Sequence, residues 1–111
     1  MKKDSEIIIL DCSLRDGGYY NKWDFDKNLV DRYLKAVKAS AIDVVELGFR
    51  FLPKNTFVGP YCYTTDDFIN QLDLPNGPIY GVMINGKEFI GKSGSSEYHI
   101  NNLFQEKEKS L

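Results

Sequence analysis

An α/β fold with parallel strands is what this sequence predicts, on three observations. Of the runs Glu6 to Leu10, Asp43 to Phe49 and Ile79 to Ile84, the first and third are too continuously apolar for strands with one wet face and read as strands buried on both faces; the second reads as a strand between them. Between the first two runs, apolar residues recur at helical spacing, the pattern of an amphipathic helix covering a sheet. A strand, a helix of about fourteen residues and a second strand make a right-handed βαβ unit, whose long crossover requires parallel strands. Third, the first run stops abruptly at Asp11-Cys12-Ser13-Leu14-Arg15-Asp16-Gly17-Gly18. Charges and glycines that begin at a strand's carboxyl end sit where parallel α/β folds bind their ligands.

Taken in order, Cys12 is expected in the buried first strand as a small core residue. Tyr19 to Phe25 has no period and reads as a long βα loop over the mouth, in which Tyr20, Trp23 and Phe25 either face a ligand or pack the loop onto the strand ends. Asp24 or Asp26 then offers a helix N-cap. Leu29, Val30, Tyr33, Leu34 and Val37 form the apolar stripe, leaving Lys27, Asp31, Arg32, Lys35 and Lys38 for the other face, and Ser40-Ala41 closes the helix. After the second strand, Arg50 to Tyr63 is loop. Thr64-Thr65-Asp66-Asp67 supplies a hydroxyl cap and first-turn acids for a short helix over Phe68, Ile69 and Leu72. Pro75-Asn76-Gly77-Pro78 breaks it before the third strand. Beyond Asn85 comes a glycine- and serine-rich stretch, then a polar helix from Ile100 to Lys109 anchored by Leu103 and Phe104. The only internal repetition is the βα alternation.

Composition excludes several classes of function. A net charge of −2 without a basic patch argues against an obligate nucleic-acid partner. The apolar run near the N-terminus spans about four residues, against the ~7 to 15 of a signal-peptide core, so no membrane segment is read and the cytoplasm is the expected compartment. Cys12 and Cys62 have neither metal spacing nor a disulfide framework.

Arg15, Asp16 and Glu46 are the constellation with a mechanism. Neighbouring parallel strands lie about 4.8 Å apart, so groups at the ends of the first and second strands can meet. Arg15 carries a permanent cationic fork suited to a carboxylate or a developing enolate oxygen. Asp16 is a hard oxygen ligand suited to Mg²⁺ or Mn²⁺. Glu46 would hold the guanidinium in place. The plain structural alternative is an Arg–Glu pair tying two strand ends, with Asp16-Gly17 as a turn.

The pattern Asp11-x-Ser13-Leu14-Arg15-Asp16-Gly17, followed by Val44-Val45-Glu46-Leu47-Gly48, resembles the metal-dependent family that includes hydroxymethylglutaryl-CoA lyase, isopropylmalate synthase and 4-hydroxy-2-oxovalerate aldolase. The resemblance spans Ile7 to about Asn85. It implies a TIM (β/α)8 barrel that makes or breaks carbon–carbon bonds beside a carbonyl. It also implies a divalent metal on Asp16, an enolate stabilised by Arg15, and Glu46 behind Arg15. Tyr19 takes the position where aldolase members carry a proton-handling histidine and acyl-CoA members a glutamine, so it is the candidate for proton transfer. The substrate would be a small 2-oxo acid or acyl thioester.

A full barrel needs roughly 200 to 250 residues, and this chain has 111, so residues 1–111 are expected to be one N-terminal fragment of about three βα units. The family's paired metal-binding histidines are missing, because the one histidine, His99, lies in a polar tail and is expected at the surface. The fragment alone should therefore be inactive, hold no metal stably, and self-associate through open strand edges. Two alternatives accompany this reading. One is a binding or scaffold half-barrel without chemistry. The other is a nucleotide binder, because Gly86 to Ser93 fits the phosphate-loop string letter for letter, though Glu88, Phe89 and Ile90 suit such a loop poorly.

Overall fold

In the computed structural model of the chain, residues 7–90 and 96–104 are described. Three strands form one parallel sheet in the order β1 (Leu10–Asp11), β2 (Val44–Phe49), β3 (Ile79–Met83). Helices alternate with them. α1 (Ser13–Asn21) and α2 (Lys27–Ala39) join β1 to β2, α3 (Asp66–Ile69) precedes β3, and α4 (Ser96–Leu103) follows it. The architecture is a partial βα repeat, as the apolar runs predict.

The sheet is stitched at its amino ends by Asp43. Its carboxylate accepts the Ile9 N–H at 2.8 Å, and its own N–H and that of Val44 return to the Ile9 carbonyl. Its carbonyl accepts from Ile79 of β3 at 2.8 Å, so one buried residue holds all three strands in register. From there β2 drives Val45, Leu47 and Phe49 into the core, where Val30, Leu34 and Val37 of α2 meet them. The α2 boundaries follow the sequence signals. The Asp26 carboxylate caps the helix by accepting from Leu29 N at 3.1 Å, and Ala41 leaves the helix at φ 56. Of the expected stripe, Leu29 faces outward.

Two strands differ from expectation for one reason. Ladder pairing in β1 covers only Leu10 and Asp11, and the preceding Ile7, Ile8 and Ile9 are exposed, Ile7 to 69%. β1 is an edge with β2 on one side, so a run composed for burial on both faces lacks cover among the described residues. Glu6 lies outside those residues. At the other edge, Ile79 is exposed and Tyr80 to Met83 are half-buried. The Thr65 hydroxyl caps α3 as expected, accepting from Phe68 N at 3.1 Å. The tail helix begins earlier than its composition suggested, at Ser96, and the expected stretch from Gln105 to Lys109 lies outside the described residues.

Arg50, the first residue of the expected loop, is instead a core residue at 3% exposure. Its Nε donates to the Thr64 carbonyl at 2.9 Å, Nη2 meets Asp66 Oδ1 at 3.0 Å, and Nη1 donates to the Leu103 carbonyl at 3.3 Å. The Phe104 ring centroid lies 4.5 Å from its guanidinium carbon. One side chain thus joins the end of β2 to the start of α3 and the end of α4. Changing Arg50 to Met removes the guanidinium that pairs with the buried Asp66 carboxylate and should lower unfolding free energy by about 3–5 kcal/mol in urea titrations. Adding Asp66→Leu should recover part of that loss; no recovery would mean that the charge pairing is not what Arg50 supplies. Self-association through β1 is also expected: light scattering at high protein concentration should detect oligomers that Ile8→Lys with Leu10→Lys reduces. A strictly monomeric wild-type chain would exclude it.

Candidate active site

Register places the site. Leu10 pairs with Val44 and Asp11 with Val45, so Glu46 is level with Cys12, the residue at which β1 ends and α1 begins. Asp11 organises that junction. Its Oδ1 accepts the Ser13 N–H at 2.9 Å and a hydrogen bond from the Tyr33 hydroxyl of α2. Asp16 N then donates to the Cys12 carbonyl at 2.9 Å, closing the first helical turn. Cys12 is accordingly not a buried strand residue: it is the half-exposed N-cap position of α1.

A helix, not a loop, follows. Positions 12, 15, 16 and 19 recur at three- and four-residue steps, so Cys12, Arg15, Asp16 and Tyr19 share one helix face. Two consecutive glycines disfavour helix by local propensity, but Gly18 leaves room for the Trp23 indole. A Cβ at Gly18 would stand 1.8 Å from Trp23 Cδ1. Lys22 ends the helix in the left-handed region at φ 59, and Trp23 N donates to Gly18 O at 3.0 Å, as in a Schellman closure. Of the three loop aromatics, Trp23 is buried, Phe25 packs against the core and Tyr20 stands in solvent.

The structure brings Arg15 and Glu46 into contact, Nε to Oε2 at 2.5 Å. The two facing atoms are fully buried and meet as an ion pair, without the alignment of a hydrogen bond. Burial works against the guanidinium's charge, but contacts with Cys12, Glu46 and Asp16 outweigh it and hold the Arg15 pKa above its ordinary value. Asp16 lies beside it, Oδ1 3.9 Å from Arg15 Nη2, with its side chain 64% exposed. The Cys12 thiol donates to Asp16 Oδ2 at 3.5 Å. Tyr19 is largely exposed one turn further along, its ring edge-on to Trp23 and Phe49 at centroid distances of 4.8 and 6.0 Å.

Among the described residues, no group of three or more His, Cys, Asp or Glu side chains is placed to hold a metal ion. Asp16 fits one position of such a site, an outward hard oxygen, but does not complete it. His99 is half-buried on α4, its ring centroid 6.3 Å from that of Phe89. Of the phosphate-loop string, Gly86–Phe89 is a tight 3₁₀ turn with Phe89 buried. There the Glu88 carboxylate accepts from Leu52 N at 3.0 Å and faces Lys54 Nζ at 3.5 Å. Gly91, Lys92 and Ser93 lie outside the described residues. The Tyr33–Asp11 bond and the Trp23 seat were not foreseen, since both join residues with no periodic or spacing relation.

No protein-family model matches the chain, and no curated protein matches it. Among solved structures it is similar to the N-terminal domain of a proposed aldolase from Bacteroides vulgatus, at 38% identity and a TM-score of 0.59. The match covers 70% of this chain and 25% of that one, so the shared stretch is about a quarter of that chain's length. The chain thus resembles the N-terminal domain of that protein in both sequence and fold.

Burial acts to raise the Asp11 pKa, but the Tyr33 hydroxyl and Ser13 N–H outweigh it and hold the carboxyl below its ordinary 3.8. Burial, and next the bond to Asp11, push the Tyr33 phenol above its ordinary 10.0. The Asp11 contribution to stability is complete above about pH 4 and is lost as pH falls below it. The Tyr33 contribution is complete below about pH 10 and is lost as pH rises beyond. Tyr33→Phe should therefore reduce stability by about 1 kcal/mol at neutral pH and flatten both flanks of the stability–pH curve. Unchanged flanks in urea titrations across pH would assign them to other groups.

Proposed function

We propose that this chain is the N-terminal part of a barrel enzyme that cleaves or forms a carbon–carbon bond through an enolate. The substrate would be a small 2-oxo acid or an acyl thioester. The observation that carries the reading is the Arg15–Glu46 contact at the carboxyl end of β1 with Asp16 open beside it; the aldolase-like neighbour supports it.

The roles follow from exposure and charge. When the bond to the carbon beside the carbonyl breaks, its electron pair moves onto that carbonyl as an oxyanion, and the departing fragment's hydroxyl gives its proton to a base and becomes a carbonyl. Arg15, cationic at every accessible pH, presents N–H donors to that oxygen. Glu46, less exposed than Arg15, restrains the guanidinium so that little reorganisation accompanies the charge. Tyr19, exposed on the same helix face, is the candidate to donate a proton to the carbanionic carbon. Asp16 is assigned to a divalent metal, Mg²⁺ or Mn²⁺, which would polarise the substrate carbonyl as a Lewis acid; its remaining ligands are not among the described residues. For the same reason the 111 residues alone are proposed to be inactive and to bind no metal stably. No described helix is long and apolar enough to cross a membrane, and a cytoplasmic location without nucleic-acid or membrane partners is proposed. The incomplete donor set favours one second reading, a binding or scaffold half-barrel without chemistry.

The complete gene product separates the two. For the enzyme, Mn²⁺ should raise the melting temperature, and Asp16→Asn should abolish that shift. Arg15→Met should lower kcat for cleavage of a 2-oxo acid by about 10²–10³-fold, and Tyr19→Phe by less. Neither metal stabilisation nor cleavage in the complete product would leave the scaffold reading.

A further inference from the structure

Trp23 is the sole tryptophan of the chain, and its surroundings are more elaborate than filling a core requires. Its indole Nε1 donates to the Arg15 carbonyl at 2.9 Å. Its ring is edge-on to Phe49 and Phe51, each at 5.7 Å, at the end of β2. Two glycines clear space for it. A Cβ at Gly18 would overlap the indole, and one at Gly59 would stand 2.3 Å from the Trp23 carbonyl oxygen. That carbonyl accepts from Tyr61 N at 3.2 Å. The backbone is also strained to deliver the side chain, with Lys22 at φ 59 and Trp23 at φ 57, two successive left-handed residues that are not glycine. Such conformations persist only where surrounding contacts over-determine them.

Two of these contacts, the Nε1 bond to the Arg15 carbonyl and the seat at Gly18, bear on the helix that carries Arg15. The indole grips α1 at the carbonyl of Arg15 itself and at the missing side chain of Gly18, and its ring abuts the Phe49 end of the strand that carries Glu46. We infer that Trp23 is a positioning residue for Arg15, holding α1 at the rotation and height at which the guanidinium meets Glu46. The inference deepens the enolate reading by naming what presets its cation, but the geometry on which it rests does not require that reading to be correct.

The test measures coupling and not activity, so its failure is distinct from failure of the proposed chemistry. In the full chain, unfolding equilibria of wild type, Arg15→Met, Glu46→Gln and the double variant give the Arg15–Glu46 coupling, expected at about fivefold or more in the unfolding constant. Repeated with Trp23→Phe, the cycle should fall below about twofold. A tryptophan acting only as core filler would lower stability in all four proteins alike and leave the coupling intact, which would overturn the inference. A second measurement covers the case in which Trp23→Phe does not fold. Coupling is reciprocal, so Glu46→Gln alone should speed hydrogen exchange of the Trp23 indole N–H severalfold relative to the Val45 amide. Equal acceleration of both protons, or of neither, would overturn it as well.

Discussion

The parallel register of β1 on β2 is the constraint from which the rest of the molecule follows. Asp43 sets it with a buried carboxylate on the Ile9 N–H and main-chain bonds to both neighbouring strands. A buried carboxylate without donors would be costly, so this residue tolerates little freedom in where Ile9 and Ile79 lie. With Asp11 opposite Val45, the side chain of Glu46 can reach only the first turn of the helix that leaves β1. A slip of one residue would turn Glu46 to the other face of the sheet and end the contact with Arg15. The site is thus fixed at the opposite end of the strands from the residue that fixes it.

α1 shows tertiary structure overruling local preference. Gly17 and Gly18 together weaken a helix by about 2 kcal/mol relative to alanines, and the two left-handed residues after it add strain of about 1–3 kcal/mol each. Burial of an indole and of Leu14, with the Asp11 junction at the other end, outweighs these terms. The gain is geometric. A loop would let Arg15, Asp16 and Tyr19 diverge, whereas helical spacing presents them on one face.

The two arginines near the end of β2 divide cation chemistry by solvent access. Arg50 is enclosed, with its donors committed to Thr64, Asp66 and Leu103, so it works as a fastener. Arg15 is 24% exposed, with Nε against Glu46 and Nη2 only loosely approached by Asp16 at 3.9 Å. A cation that is held on one side and open on the other can still act on a ligand, which is why the enolate reading rests on Arg15. Sequence alone left Arg50 in a loop, because the groups that enclose it, Asp66 and the Leu103 carbonyl, lie far along the chain.

Much of this was legible in the chain. Short, continuously apolar runs specified parallel strands, the i, i+3, i+4 stripe specified α2, and Asp26 and Thr65 announced their helices, because each of these signals acts between residues near in sequence. The Arg15–Glu46 meeting was also foreseeable, since parallel strands leave few places for their carboxyl ends to go. What only the tertiary structure decided depends on partners distant along the chain: the burial of Arg50, the Tyr33–Asp11 bond, the helix at Arg15 to Tyr19, and the open faces of β1. Gly17-Gly18 signals a break until an indole five residues on is known to need the space. An apolar run signals burial until its position at a sheet edge is known. Composition determines what a segment can bury, and the fold decides what is there to cover it.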